Sequence, residues 1–232
     1  MIVGNGLLAS AFEAQQIKQL GATVFASGVS NSTETDPAAY AREESLLQAH
    51  LAAASGTFVY FSTCSIEDAD RGQGPYAQHK RKMEEKVADR GDFLILRLPQ
   101  VAGRTSNPHT LTNFLANCLR SGQVIPVWSS AIRCLVDVEH VAAITLALLQ
   151  KERPAQKLDH VAPPEVLTMP QLIDAMEAVM QLTAKRHVIE RSGGTRPDPT
   201  LMLALGPALG IDLSPGYTLR LLEKYYGSRD VS

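Results

Sequence analysis

The sequence predicts an α/β protein, with a parallel sheet covered by helices on both faces and a smaller C-terminal lobe. Three observations carry this. Over the first hundred residues, short apolar runs alternate with helix-period segments, the pattern of successive β-α units. A glycine turn, Gly4-Asn5-Gly6, separates the first such run from the first helical segment. After Pro99 the texture changes to short scattered elements that read as a cover for the first part rather than a second independent fold.

The elements follow in order. Met1–Val3 is a short apolar start. Leu7 to Leu20 carries Leu7, Leu8, Ala11, Phe12 and Ile17 at near-helical spacing, and Gly21 stops it. Ala22–Ala26 is a second strand, and Ser27-Gly28-Val29-Ser30-Asn31-Ser32 a polar loop. Pro37 to Ala54 reads as a helix with proline in its first turn. Thr57–Phe61 is β-branched and aromatic, a buried strand. Pro75 to Arg90 is a long charged helix, and Phe93–Leu98 another strand. Gly103 to Pro108 is a loop, Leu111–Leu119 a helix and Gln123–Val127 a strand; Arg133–Val138 leads into a helix from Val141 to Leu149. Gln156 to Pro164 is expected to be irregular, Met169–Leu182 helical, Arg191 to Pro199 a mobile loop, and Tyr217–Tyr226 a last helix. The expected division is 1–150 for a nucleotide-binding domain, with a substrate-contacting insert at about 104–133, and 151–232 for a lobe partly interleaved with it.

Composition bounds the function. A chain of 232 residues fits one large α/β domain with a small lobe. The hydrophobic share of 45% and charged share of 20% are those of an ordinary soluble chain. The net charge of −2, from 22 basic and 24 acidic residues, argues against nucleic acid or an acidic membrane as partner. Cys64, Cys118 and Cys134 are widely spaced, and the histidines lack metal-like spacing, so neither a disulfide framework nor a metal site is expected. With no basic-then-apolar start, the expected location is the cytoplasm.

Gly4-Asn5-Gly6-Leu7-Leu8-Ala9 has the G-x-G-x-x-A form of a dinucleotide-binding turn between a strand and a helix. Gly4 permits the tight backbone, Gly6 leaves room for a pyrophosphate, and the backbone N–H groups from Asn5 to Leu8 face the phosphates. No acid follows the second strand; the small polar residues from Ser27 onward favour NADP weakly over NAD.

Tyr76 and Lys80 lie four apart on one helix face. A neighbouring ammonium lowers a phenol's pKa and makes it a usable acid–base group. Ser62-Thr63-Cys64-Ser65 puts hydroxyls at the carboxyl end of a parallel strand, the ligand edge of such sheets.

Together with Leu96-Arg97-Leu98-Pro99-Gln100-Val101-Ala102-Gly103 and Arg133-Cys134-Leu135-Val136-Asp137-Val138, these motifs resemble the extended short-chain dehydrogenase/reductases that act on nucleotide sugars, over most of residues 1–150. The resemblance implies a Rossmann-type doubly wound sheet. It implies Tyr76 as catalytic acid–base, Lys80 as its partner and a ribose ligand, and Thr63 as the catalytic hydroxyl. Ser62 and Pro99 would lie against the cofactor. Cys64, Gln100, Asn107 and Arg133 would contact substrate, with Arg133 gripping its diphosphate; Cys64 reads as a packed thiol rather than a catalyst. The bland alternative for Arg133 is a surface ion pair. The family pattern also implies a homodimer packed through the Tyr76 helix.

The chain departs from that pattern. Val3 stands at the family's first glycine, and Ala9 at the last. Only one helical segment separates Ala22–Ala26 from the Thr57 strand, so a strand–helix unit is expected to be missing there, with Leu51-Ala52-Ala53-Ala54 as its remnant. Acidic residues do not directly follow Thr63, which disfavours dehydration. Ketoreduction of a nucleotide-linked sugar is the favoured chemistry, with epimerisation close behind. A non-catalytic nucleotide-binding protein and a reductase of a non-sugar carbonyl are the alternatives.

Overall fold

The computed structural model describes residues 1–150 and 156–227. In chain order the elements are β1 (Ile2–Val3), α1 (Ala14–Gln19), β2 (Thr23–Phe25), α2 (Pro37–Ala53), β3 (Phe58–Thr63), α3 (Pro75–Ala88) and β4 (Phe93–Leu98). There follow β5 (Gln100–Ala102), α4 (Leu111–Ser121), β6 (Val124–Arg133), β7 (Leu135–Asp137), α5 (Val138–Gln150), β8 (Lys157–His160), β9 (Leu167–Thr168), α6 (Met169–Met180), β10 (Lys185–Gly193), α7 (Thr200–Leu205) and α8 (Tyr217–Tyr226). None of the described helices is long and apolar enough to cross a membrane.

The predicted α/β architecture is found. β1, β2, β3, β4 and β8 form one parallel sheet in that spatial order. β3 is the centre, with all six residues buried and a full register onto β4 from Phe58↔Phe93 to Thr63↔Leu98. Its side chains alternate between the faces, as a strand must. Phe58 and Tyr60 pack with Phe25, Phe93, Ile95, Leu47 of α2 and Met83 and Val87 of α3. Val59 and Phe61 pack on the other face with Val24, Leu94, Leu96, Ile17 of α1 and the apolar side of α5.

Several elements differ from expectation. Leu7 to Leu20 is not one helix. Ala9–Ala11 is a single 3₁₀ turn, Phe12 and Glu13 are extended, and α1 begins at Ala14. Packing overrides the helical spacing here: Phe12 turns inward to stack on Phe61, ring centroids 5.9 Å apart, and Ser10 Oγ donates to the Leu7 carbonyl. The stretch expected to be irregular, Gln156 to Pro164, holds β8, a polar edge strand whose Leu158 is exposed. Arg191–Gly193, expected in a mobile loop, end β10, which pairs parallel to β6. β10 is largely exposed, so it lacks the apolar alternation that marks a strand. β6 itself runs on from the expected Val127 to Arg133.

The missing unit also lies elsewhere. Where a dinucleotide-binding sheet is complete, its first strand is central, with the second and third on one side and the fourth to sixth on the other. Here β1 is at the edge and β2 lies between it and β3. β2 therefore occupies the fourth strand's place, and the omission falls between α1 and β2, before Thr23, rather than after Ala26. Leu51–Ala53 belong to the last turn of α2, which Ala54 caps.

α1 keeps a trace of this. The steps β1→β2→β3 move the same way across the sheet, yet α1 and α2 pack on opposite faces. The two crossovers thus have opposite hands, although nearly all parallel crossovers are right-handed. The face that α1 occupies is the one a right-handed crossover would use on its way to a strand beyond β1.

The remainder covers the sheet. β6 lies between β10 and β9, and α6, opened by a Thr168–Gln171 capping box, packs on β6. α8 is tied to β7 through buried Asp137, which accepts from Tyr225 Oη at 2.7 Å and Lys224 Nζ at 2.8 Å. The expected boundary after residue 150 adjoins 151–155, outside the described residues.

Candidate active site

The carboxyl ends of β2, β3 and β4 open into a cleft of about 270 Å³, just under the ~300–1,000 Å³ usual for ligand pockets. The glycine turn after β1 and the loop after β2 flank it. Although the strand order does not reverse, α1 and α2 leave on opposite faces, so the crevice a topological switch point provides is kept.

The cleft gathers most of the predicted residues. Gly6, Leu7, Leu8, Ser62, Thr63, Tyr76, Lys80, Pro99, Gln100 and Asn107 all line it. Gly4, Asn5 and Ser27 do not. Gly4 instead has φ +119, and a Cβ there would sit 2.5 Å from the Ala26 carbonyl oxygen, so it serves the β1–β2 contact. A smaller cavity beside the cleft is lined by Cys64, Pro99, Gln100 and Arg133 together with Ser65, Asp68 and Arg71.

Thr63 is placed by the end of β3. Its Oγ1 accepts from the Ser65 backbone N–H at 3.1 Å, which leaves its own proton free to donate. α3 begins at Pro75 and brings half-buried Tyr76 to the same edge. Arg97 of β4 fixes this helix with a two-bond fork to Glu84, Nε–Oε1 at 2.9 Å and Nη2–Oε2 at 2.7 Å. Burial raises the Tyr76 pKa above the ordinary phenol value; the Lys80 ammonium and the Thr63 hydroxyl oppose this without cancelling it. The phenol is therefore protonated at neutral pH, a correction to the expected net lowering by Lys80.

Lys80 has a partner that the motif did not announce. Its Nζ donates to Glu43 Oε1 at 3.0 Å and to Tyr60 Oη at 3.2 Å, and lies 5.9 Å from the Tyr76 ring centroid. One of its three donors is left for a ligand. Glu43, from α2, is completely buried. It accepts Tyr60 Oη at 2.7 Å and the Val29 N–H at 2.6 Å. His79 Nε2 lies 3.1 Å from Glu43 Oε2. Burial would raise the Glu43 pKa, but Lys80, His79, Val29 and Tyr60 outweigh it and hold the carboxyl at about 2. Gly28 roofs the pair: a Cβ there would lie 2.5 Å from Lys80 Nζ. The signal for Glu43 was an acid on the α2 face that also carries Leu47, one turn on.

In the smaller cavity, Arg133 has no carboxylate within ion-pair distance among the described residues; its Nη1 donates to the Ile132 carbonyl at 2.6 Å. Burial, then Arg71, lowers its pKa. The surface ion pair is thus not what this arginine makes. Asp68, missed from the sequence, accepts the Gly194 N–H at 2.9 Å and pins the end of β10 over the cavity. Burial pushes the Cys64 thiol well up, and the Cys134 thiol up to about 12, which suits packing rather than nucleophilic attack.

A glycine turn and a Thr–Tyr–Lys set at the carboxyl edge of a parallel sheet give the layout of an open, Rossmann-type α/β fold. The model of the NAD-dependent epimerase/dehydratase family matches residues 5–161, and the chain belongs to that family. Similar solved structures include UDP-glucuronic acid 4-epimerase from Bacillus cereus in complex with UDP-glucuronic acid and NAD (TM-score 0.67, 14% identity, 90% of this chain and 76% of that one covered). UDP-glucose 4-epimerase of Thermus thermophilus, in complex with NAD, gives 0.64 at 16% identity, with 94% and 83% covered. RMD from Pseudomonas aeruginosa, complexed with NADPH, gives 0.59 at 17% identity, with 88% and 82% covered. At these identities the likeness is one of fold. A search of curated proteins returns no significant match.

Proposed function

We propose that the chain is an NAD(P)-dependent oxidoreductase or epimerase acting on a nucleotide-linked sugar, with ketoreduction at a sugar carbon as the favoured step. The observation that carries this is convergence: Thr63, Tyr76 and Lys80 line one cleft with Gly6–Leu8 and Pro99. The structural neighbours bound to UDP-glucuronic acid and NAD or to NADPH support the substrate and cofactor classes.

The cleft fits a nicotinamide nucleotide. Gly6 has open space where a Cβ would stand, and the buried Ser62 Oγ at the cleft wall has no hydrogen-bond partner. Gly6, Leu7 and Leu8 would hold phosphate, and Ser62, Lys80 and Pro99 the nicotinamide ribose end. When bound, the reduced nicotinamide supplies a hydride for a sugar carbonyl carbon. Tyr76, kept protonated by burial, donates its proton at the carbonyl oxygen, and Thr63 donates a hydrogen bond to that oxygen. The Lys80 ammonium then stabilises the phenolate left behind. Arg133 and Gln100, at the mouth of the adjoining cavity, offer donors to a diphosphate.

The Glu43–Lys80 pair favours a second reading, a non-catalytic nucleotide-binding protein, because it neutralises charge that the reaction uses. Tyr76→Phe separates the two. For the enzyme, turnover falls by roughly 10²–10⁴-fold while calorimetric binding of NADH or NADPH is unchanged. Absence of turnover by the parent protein across nucleotide-linked keto sugars sinks the enzyme reading.

A further inference from the structure

A dinucleotide-binding sheet consists of two mononucleotide-binding halves that meet at the first strand. This chain retains one half complete. β3 and α3 carry the reacting residues Thr63, Tyr76 and Lys80, between β2 and β4, while β1, which should be central, is the edge of the sheet. The strands whose carboxyl ends would support an adenosine moiety lie beyond β1 in a complete fold, and the described residues contain none there. Gly4 and Asn5, on the exposed turn above that edge, line neither cavity.

The cleft runs the other way. From Gly6–Leu8 it passes over Ser62 and Thr63 to Pro99, Asn107 and Thr110. The loop after β2 contributes Gly28, Val29, Ser30 and Ser32 to its wall, so that loop encloses the retained half. Unpartnered Ser62 Oγ is in this half too. The position after β2 is also the wrong place to read a preference between NAD and NADP, because the acid or arginine that discriminates them follows the second strand of a complete fold.

We infer that this protein holds a nicotinamide nucleotide by its nicotinamide–ribose–phosphate half alone and leaves the adenosine in solvent, so that reduced nicotinamide mononucleotide binds nearly as well as NADH. The inference rests on the NAD(P) reading above. It also implies indifference to the 2′-phosphate.

Isothermal titration calorimetry on the full chain with NADH, NADPH, reduced nicotinamide mononucleotide and ADP-ribose tests it. The expected result is a mononucleotide Kd within about tenfold of that for NADH, NADPH equal to NADH within about threefold, and no displacement of NADH by ADP-ribose. A mononucleotide more than about tenfold weaker than NADH, a loss exceeding ~1.4 kcal/mol, overturns the half-site while leaving the NAD(P) reading intact. Competition by ADP-ribose does the same. Failure of all three nicotinamide nucleotides to bind ends both.

Discussion

The two flanks of the glycine turn are built to different standards. On the β2 side, polar groups of the strands and of α3 are tied to partners: Thr63 at the end of β3 to the Ser65 N–H, Lys80 of α3 to Glu43 of α2 and Tyr60 of β3, and Arg97 of β4 to Glu84 of α3. On the far side β1 has two residues and no described neighbour, and Gly4, Asn5 and Gly6 are exposed. Strands can be absent from one flank without disturbing the other, because each half of the sheet buries its own helices. α2 and α3 pack on β2–β4 and need nothing from beyond β1. What the gap does disturb is crossover handedness at α1, a six-residue helix with few contacts of its own.

The largest effect expected from breaking the ordered flank is at Glu43. Glu43→Gln keeps the volume, but its single amide oxygen can replace only one of Oε1, which Tyr60 and Lys80 address, and Oε2, which Val29 addresses; it turns an NH2 on the other and leaves Lys80 as an uncompensated buried charge. Chemical denaturation should show a loss of about 3–5 kcal/mol, and a second change, Lys80→Met, should restore part of it. The folded Glu43 pKa of about 2 lies below its ordinary 4.5. The carboxylate's contribution is therefore fully present above about 4.5 and lost as pH falls through about 2, so the gap between parent and variant should narrow over that window. A gap independent of pH down to 2 would show that the pair is not what stabilises this flank.

Gly4→Ala comes next and probes the junction of the flanks. The substitution meets both a φ of +119 and a backbone oxygen 2.5 Å from the new Cβ. A loss of about 2–4 kcal/mol is expected by thermal or chemical unfolding. Arg133→Ala is smaller and functional: removing a charge-assisted donor worth about 1.5–3 kcal/mol should raise KM for the nucleotide sugar by roughly 10–100-fold and leave NADH binding alone. An unchanged KM for the true substrate would favour a non-sugar carbonyl instead.

How much of this was legible follows the same division. Short apolar runs and helix-period patterns mark β2 through α3 within a few residues, because β2 and β3 are buried on both faces and α2 and α3 pack one face against them. Tyr76, Lys80 and Thr63 were visible as a motif. Glu43 was not, since its meaning depends on a helix fold bringing it 37 residues along the chain to Lys80. β8 and β10 were hidden by their exposure: an edge strand carries polar residues on both faces and shows no alternation. The position of the omitted strands is hidden for a different reason. Sequence spacing gives the number of β-α units but not their places in the sheet, and only the pairing of β2 with β3 revealed which strand β2 replaces.

Gly6→Ala sharpens the comparison with the least expected effect on folding. Two residues from Gly4 in the same turn, Gly6 has no heavy atom within 4 Å of the position a Cβ would take, and its φ lies outside the left-handed region. The protein itself therefore gives no reason for glycine at this position. Alanine restricts the unfolded chain and should be neutral or stabilising by about 0.4–1 kcal/mol. If phosphate approaches the turn here, the same methyl group stands in its way, and binding of NADH and of the reduced mononucleotide should weaken together. The paired readout separates the two glycines of the turn by cause, Gly4 for the backbone and Gly6 for the ligand. Unchanged nucleotide affinity in a stable Gly6→Ala protein would remove the phosphate from this turn and shift the ligand toward the β3–β4 end of the cleft.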